Sequence, residues 1–507
     1  MVTKRSLITK VLIVAGILIL VNVLSNRFFM RFDFTEDRLY SLSKATKDII
    51  KNLDEPVTIT AYFTEGLPVN YDYIRKDFKS LLVEYHSASR GDVVYTFINP
   101  NESDETELEA QQAGIAMVVV DIRERDQMQQ KRSYFGAVVT KGNKTDVIPF
   151  VQSVGEMEYN LSKSIRKISV NIKPALGLIQ GHGEPTMEAM SQAMAELAIL
   201  YDVQPLFMND STAIPSIFKT VVIVAPTDSF PISHLNHLDG FLGNGGRILV
   251  AFNRVKADLN RGYGEPLNTG LEGWLERKGI NVGENFVIDV NSGRVLIRQQ
   301  FGNSFLSIPV QLHYFPIITN FADHPITKGL DKIMMQFVSS ISFVSFDTSI
   351  KYEPIAFTSE RANILPAPIS IDVRGKQWTE NDFIMSKIPV AGLLEGRLGS
   401  GEETRMVVIC DGDFIINGEG EGAQRLENAN VSFFVNAIDW LSDENGLMDL
   451  RTKGITSRTI KQLESNKRSM IKIGNSLIPL LVIIYGLIRY QFNRARRKKW
   501  MAMDYTN

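Results

Sequence analysis

Cysteine is almost missing from this chain: Cys410 is the single one in 507 residues. That excludes an internal disulfide, a cysteine-based zinc cluster and a Cys-x-x-Cys redox pair, while leaving the compartment open. No G-x-x-x-x-G-K-[ST] loop occurs, so the chain cannot power transport with its own nucleotide hydrolysis. The HExxH and G-x-S-x-G patterns are absent too, which removes the usual metalloprotease and serine-hydrolase sets. Charge of either sign is not in excess, with 55 basic against 57 acidic residues, so no global basic surface is offered to nucleic acid. Internal repeats and low-complexity stretches are also missing.

What is present is a globular composition, 44% apolar and 22% charged, on a length that suits roughly three domains. Two apolar segments frame it. Residues 7–25 are interrupted only by Lys10 and Asn22. At 1.5 Å per residue they reach about 28 Å, close to a hydrocarbon core. Bulky Phe28 and Phe29 follow where a signal peptide would carry a small-residue cleavage site, so an uncleaved anchor is expected. Residues 473–488, bounded by Lys472 and Arg489, form a second, shorter span with Tyr485 and Tyr490 near one interface. Arg489, Arg494, Arg496, Arg497, Lys498 and Lys499 favour a cytoplasmic C-terminus. Two spans then put the N-terminus there as well, with the main domain extracytoplasmic.

Between the spans the sequence predicts α/β structure in two parts. Over residues 27–172, Ser43 starts a short helix. Strands at 57–63 and 93–98, helices at 73–86 and 105–113, a strand pair at 116–122 and 134–141, a strand at 145–150 and a helix at 158–168 follow. This alternation is the thioredoxin-like arrangement, here a scaffold without redox cysteines. Over residues 173–450, near-continuous apolar strands alternating with helices predict a doubly wound parallel sheet. A strand-rich insertion or sheet extension occupies about 280–400. Residues 451–471 read as a helical linker, 472–490 as the second transmembrane helix and 491–507 as a basic tail.

Few constellations can carry chemistry. Gly181-His182-Gly183-Glu184-Pro185 follows the first strand of the second domain, and Asp411-Gly412-Asp413 follows a late one. In doubly wound folds ligands sit beyond the carboxyl ends of the strands. If those two strands are neighbours, Gly181, His182, Gly183, Glu184, Asp411 and Asp413 form one rim able to bind a cation or polar ligand. The plainer alternative is that Glu184 and Asp413 cap helices and tighten turns. His234 and His237 lie at i, i+3 of a predicted helix, where solvated or capping roles are expected. Gly243-Asn244-Gly245-Gly246 precedes a strand and reads as a helix end, not a phosphate loop.

An ordered set of motifs resembles the gliding-motility GldG family. It comprises residues 35–43 (TEDRLYSLS), 181–185 (GHGEP), 243–252, 324–327 (HPIT), 411–414 (DGDF) and 439–443 (DWLSD), and the likeness runs from about residue 8 to 490. The resemblance implies a membrane-anchored auxiliary or substrate-binding-like subunit of an ABC transporter at a bacterial inner membrane, with its main domain periplasmic. Its partners are a multi-span permease, a cytoplasmic ATPase and membrane lipid, and no cofactor is implied. The second domain is also similar to a module of a ciliary intraflagellar-transport subunit and, more distantly, to class I glutamine-amidotransferase-like folds. Those enzymes need a nucleophilic cysteine on an elbow, whereas Cys410 lies in an apolar strand, so the catalytic reading fails. An extracytoplasmic ligand receptor and a metal-dependent hydrolase built on the rim are the alternatives. Self-association of the ectodomain is left open.

Overall fold

The computed structural model describes residues 41–450 apart from 125–126, 152–153, 171–172, 260, 302–303, 346, 373–375, 444–445 and 449. It also describes residues 13–14, 16–17 and a helix at 483–498. Two units are distinguished, Met1–Ile455 and Thr456–Asn507. The first expected span falls mostly outside the described residues, as does the N-terminal part of the second, and the linker at 451–471 lies wholly outside them. Among the described residues no helix is long and apolar enough to cross a membrane. Those of the 483–498 helix are all exposed, Tyr485, Leu487, Tyr490 and Phe492 included.

The first part of the large unit begins with α1 (Lys44–Lys51), where the Ser43 hydroxyl accepts the Thr46 N–H at 3.0 Å, the expected N-cap. There follow β1 (Val57–Phe63), α2 (Val69–Ala88), β2 (Val93–Ile98), α3 (Asp104–Gln112), β3 (Met117–Glu124), β4 (Gln127–Lys141), β5 (Lys144–Ile148) and α4 (Val154–Ser169). β1 lies parallel to β2 and antiparallel to β4. β4 runs further than its apolar stretch suggests. Its first half pairs with β3 as a ribbon, and its second half holds β1 and β5. Phe63 stacks on Phe78 at 5.0 Å and meets Phe135 edge-on at 6.1 Å, which closes helix onto sheet with the geometry aromatic quadrupoles prefer.

The second part opens with β6 (Ala175–Gln180), α5 (Ser191–Leu200), β7 (Asp202–Phe207), β8 (Thr220–Val224), α6 (Ile232–Gly243) and β9 (Arg247–Ala251). β10 (Lys351–Phe357), β11 (Pro389–Gly396), β12 (Thr404–Ile409) and α7 (Asn428–Ser442) complete its main layers. The eight-stranded sheet runs from the short strand Asn320–Phe321 through β10, β11, β12, β9, β8 and β6 to β7. From β12 to β7 the strands are parallel. β11 and β10 are antiparallel additions that come from the stretch expected as an insertion or sheet extension. The residues of the expected insertion divide. Some extend this sheet, and others form small sheets around Phe286, Tyr314 and Phe315.

Every residue of β8 is buried, as a central strand covered on both faces requires. α7 is buried over most of its surface, including Val431, Phe433, Phe434, Ala437, Ile438 and Leu441 and the polar Asn430, Asn436 and Asp439, because it lies on the sheet under other layers. Gly243–Gly246 is a helix end, with Gly245 at φ +79° and its N–H on the Leu242 carbonyl. The two parts share core: Ala45 of α1 and Tyr159 of α4 are buried within the hydrophobic cluster of the second part.

Candidate functional site

β6, β8, β9 and β12 are parallel, so their carboxyl ends share one rim. The crossover from β6 leads outward to β7, and that from β8 leads the other way to β9. Right-handed crossovers then set α5 and α6 on opposite faces, which makes the gap between β6 and β8 the topological switch point of the sheet. Gly181–Glu184 sits there.

The gap is filled by the chain's own side chains. The His182 ring is stacked flat on Phe230, with centroids 3.7 Å apart and planes 7° apart. Its carbonyl accepts the N–H groups of Thr227 (3.0 Å) and Asp228 (2.8 Å), which follow β8. The Glu184 side chain is 1% exposed; it accepts the His182 backbone N–H at 2.6 Å and faces the ring Nδ1 at 3.2 Å. Gly183 has φ +77°, and a Cβ there would stand 2.0 Å from Thr227 Oγ1. Gly183→Ala is therefore expected to cost about 3 kcal/mol from backbone strain and overpacking. Urea unfolding would measure it, and a second change, Thr227→Gly, should recover part of the loss.

His182 leads into a line of titratable groups. Its Nε2 lies 2.8 Å from His234 Nδ1, and His234 Nε2 lies 3.5 Å from Asp210 Oδ1. His237 reaches the same residue, its Nε2 3.3 Å from the Asp210 carbonyl. The bonds assign the tautomers. With Glu184 ionised, His182 donates from Nδ1 and accepts at Nε2, and His234 donates from Nδ1. A neutral His234 then turns a lone pair toward the Asp210 carboxylate, and one added proton would convert that contact into an ion pair. Burial, helped by His182, pushes the His234 pKa below its ordinary value, so the neutral form is favoured. His234 was expected to be solvated or capping. It is buried instead, on the same helix face as Leu238 and Phe241, and that i, i+4, i+7 spacing was the available signal.

Asp411 and Asp413 lie on the same rim but not in the same cluster. β8 and β9 stand between β6 and β12, a separation of about 14 Å at ordinary strand spacing. The adjacency that a single shared cluster requires is therefore not met. Asp411 is fully buried; its Oδ2 accepts the Gln336 N–H (2.6 Å), and its Oδ1 accepts those of Asp413 (2.7 Å) and Phe414 (3.2 Å). The Asn253 amide bridges the turn, donating to Asp413 Oδ2 at 3.0 Å and accepting the Gly412 N–H at 2.8 Å. Burial pushes both carboxyls up, and the charge of Asp413 adds to the effect at Asp411. Cys410 is buried, and its thiol is likewise pushed up by burial, so it is no nucleophile. Among the described residues no group of three or more His, Cys, Asp or Glu is placed to hold a metal ion.

Residues 173–441, which carry this rim and its sheet, match the profile of the ABC-type uncharacterized transport system family. The chain belongs to this family. Membership gives it an auxiliary role in an ABC transport system, alongside permease and ATPase components. Residues 36–140 match a domain of unknown function, DUF7088. An uncharacterized protein of Borreliella burgdorferi is 22% identical over 494 residues, 92% of this chain and 93% of its own length. The N-terminal domain of mmIFT52 is similar over 53% of this chain and 97% of its own, at 12% identity and TM-score 0.36. A ThuA-like protein from Parabacteroides merdae is similar over 54% and 91%, at 12% identity and TM-score 0.31.

Proposed function

We propose that the protein is a non-catalytic, membrane-anchored auxiliary subunit that links a periplasmic α/β domain to the permease and ATPase of an ABC transporter, of the GldG type associated with gliding. In this reading two spans hold both termini in the cytoplasm. The first part of the ectodomain is a thioredoxin-like scaffold, and the second is related to the amidotransferase-like folds.

One observation carries the coupling role: among the described residues, the segments on the sides toward both expected spans converge on the single helix α4. Glu158 accepts the Ser43 N–H at 2.7 Å and the Thr46 hydroxyl at 2.8 Å. Thr46 and Tyr85 meet Ser162 at 2.8 and 2.6 Å. One turn away, the Tyr159 hydroxyl donates to Met448 Sδ at 3.4 Å. Displacement of either membrane connection would therefore be felt by the same helix. The exposed apolar residues of the 483–498 helix and the basic run that continues to Lys499 support the anchor.

The rim supports a structural role more than a receptor, since His182, Glu184 and Asp411 spend their polar groups on the chain itself. In this reading residues 455–472 act as a lever between the permease and the ectodomain, and deleting a few residues within 457–470 tests it. Transport-dependent function should be lost while the protein still reaches the membrane with its partners. Retained function would contradict the lever.

A further inference from the structure

We propose that the seam between the two α/β parts is a binding site for a short peptide with free, charged termini. The proposal is independent of the transporter reading. Two cavities of about 340 and 520 Å³ share Lys163, Glu196 and Val435 and so form one continuous cleft. Each lies in the range of about 300–1,000 Å³ usual for small-ligand sites, which favour such junctions. The cleft is preformed, because Ala45 and Tyr159 tie the two parts into one core beside it.

The deeper charges are already satisfied. Asp146 accepts from Lys167 (2.6 Å) and Ser164 (2.7 Å), and Asp439 accepts from the Tyr201 hydroxyl at 2.8 Å. Two of the outer ones are not. Glu196 on α5 and Arg425 ahead of α7 are exposed and make no hydrogen bond or ion pair with other described residues. Lys163 on α4, 40% exposed, stands 3.9 Å from Asp439. Glu196 on one wall and Arg425 on another match the ammonium and carboxylate ends of a zwitterionic chain. Asn160 and Ser432, which also line the cleft, offer partners for the peptide groups between.

The test is calorimetric titration of the detergent-solubilised full chain with trialanine, with N-acetyl-trialanine amide and with maltotriose. Saturable binding of trialanine is expected, with the blocked peptide at least about tenfold weaker and maltotriose silent, because the charge-assisted contacts carry the affinity. Glu196→Gln and Arg425→Gln, both at exposed positions, should each weaken trialanine about tenfold with unchanged thermal unfolding. Absence of trialanine binding would overturn the proposal. So would equal binding of the blocked peptide, binding of maltotriose instead, or affinity unmoved in both variants.

Discussion

Asp411→Ala is expected to destabilise the large unit by about 4 kcal/mol or more, the largest effect of any rim substitution. Alanine leaves the N–H groups of Gln336, Asp413 and Phe414 without their acceptor in a site with no exposure. Each orphaned buried donor costs about 1–3 kcal/mol. The strain of burying a carboxylate, visible in its raised pKa, is relieved at the same time and keeps the total below the simple sum. Asp411→Asn should cost about half as much, since its amide oxygen can still serve Asp413 and Phe414 while its amino group faces the Gln336 N–H. Asp413→Asn should stay within about 1 kcal/mol, because Asp413 accepts one bond from Asn253. Denaturant unfolding at neutral pH would rank the three. Equal losses at 411 and 413 would contradict the assignment of Asp411 as the organiser of the turn.

The second large effect is an acid sensitivity centred on His324. Burial pushes its pKa from 6.5 down to about 4, with Lys351 and Arg405 acting in the same direction. Its Nδ1 accepts the Ile326 N–H at 3.2 Å, which requires a lone pair there, and the ring meets Trp440 edge-on at 5.2 Å. The unfolded chain binds this proton more readily than the folded one. The stabilisation is therefore complete above pH 6.5 and is lost as the pH falls through about 4. A shift of this size is worth about 3 kcal/mol. His324→Asn keeps an acceptor for Ile326 and has no proton to gain. The variant should lose clearly less stability than the parent between pH 7 and pH ~4.5 in urea titrations. Parallel pH profiles for the two proteins would contradict the assignment. His234 acts with the same sign, its pKa being lowered by burial and by His182.

Much of the fold was legible where burial imposes a period. The strands 93–98 and 175–180 were read with their observed limits, because an apolar run ends abruptly at polar or turn residues on each side. β4 was read short. Gln127–Lys131 holds one apolar residue, Met128, and pairs with β3 as a ribbon; without apolar alternation there is no period to detect. The antiparallel β10 and β11 were lost inside the expected insertion, since their pairing joins residues 351–357 to 389–396 with register shifts that no local pattern encodes.

The site was legible by position and not by partnership. Gly181–Glu184 and Asp411–Asp413 were placed at strand ends, where they are. Their grouping failed because strand order is a tertiary property: β8 and β9 enter the sheet between them. His234 was expected to be solvated or capping because its partner comes from a loop 52 residues away, although its alignment with Leu238 and Phe241 marks it as inward-facing.

The central claim is that this chain works as a coupled subunit and not alone. Purification from native membranes in mild detergent, followed by identification of what accompanies the protein, tests it most directly. The account predicts a multi-span permease and an ATPase in defined ratio, with Glu158→Ala weakening the coupling of nucleotide hydrolysis to transport more than assembly. Recovery of the intact chain by itself, with neither component present, would contradict it.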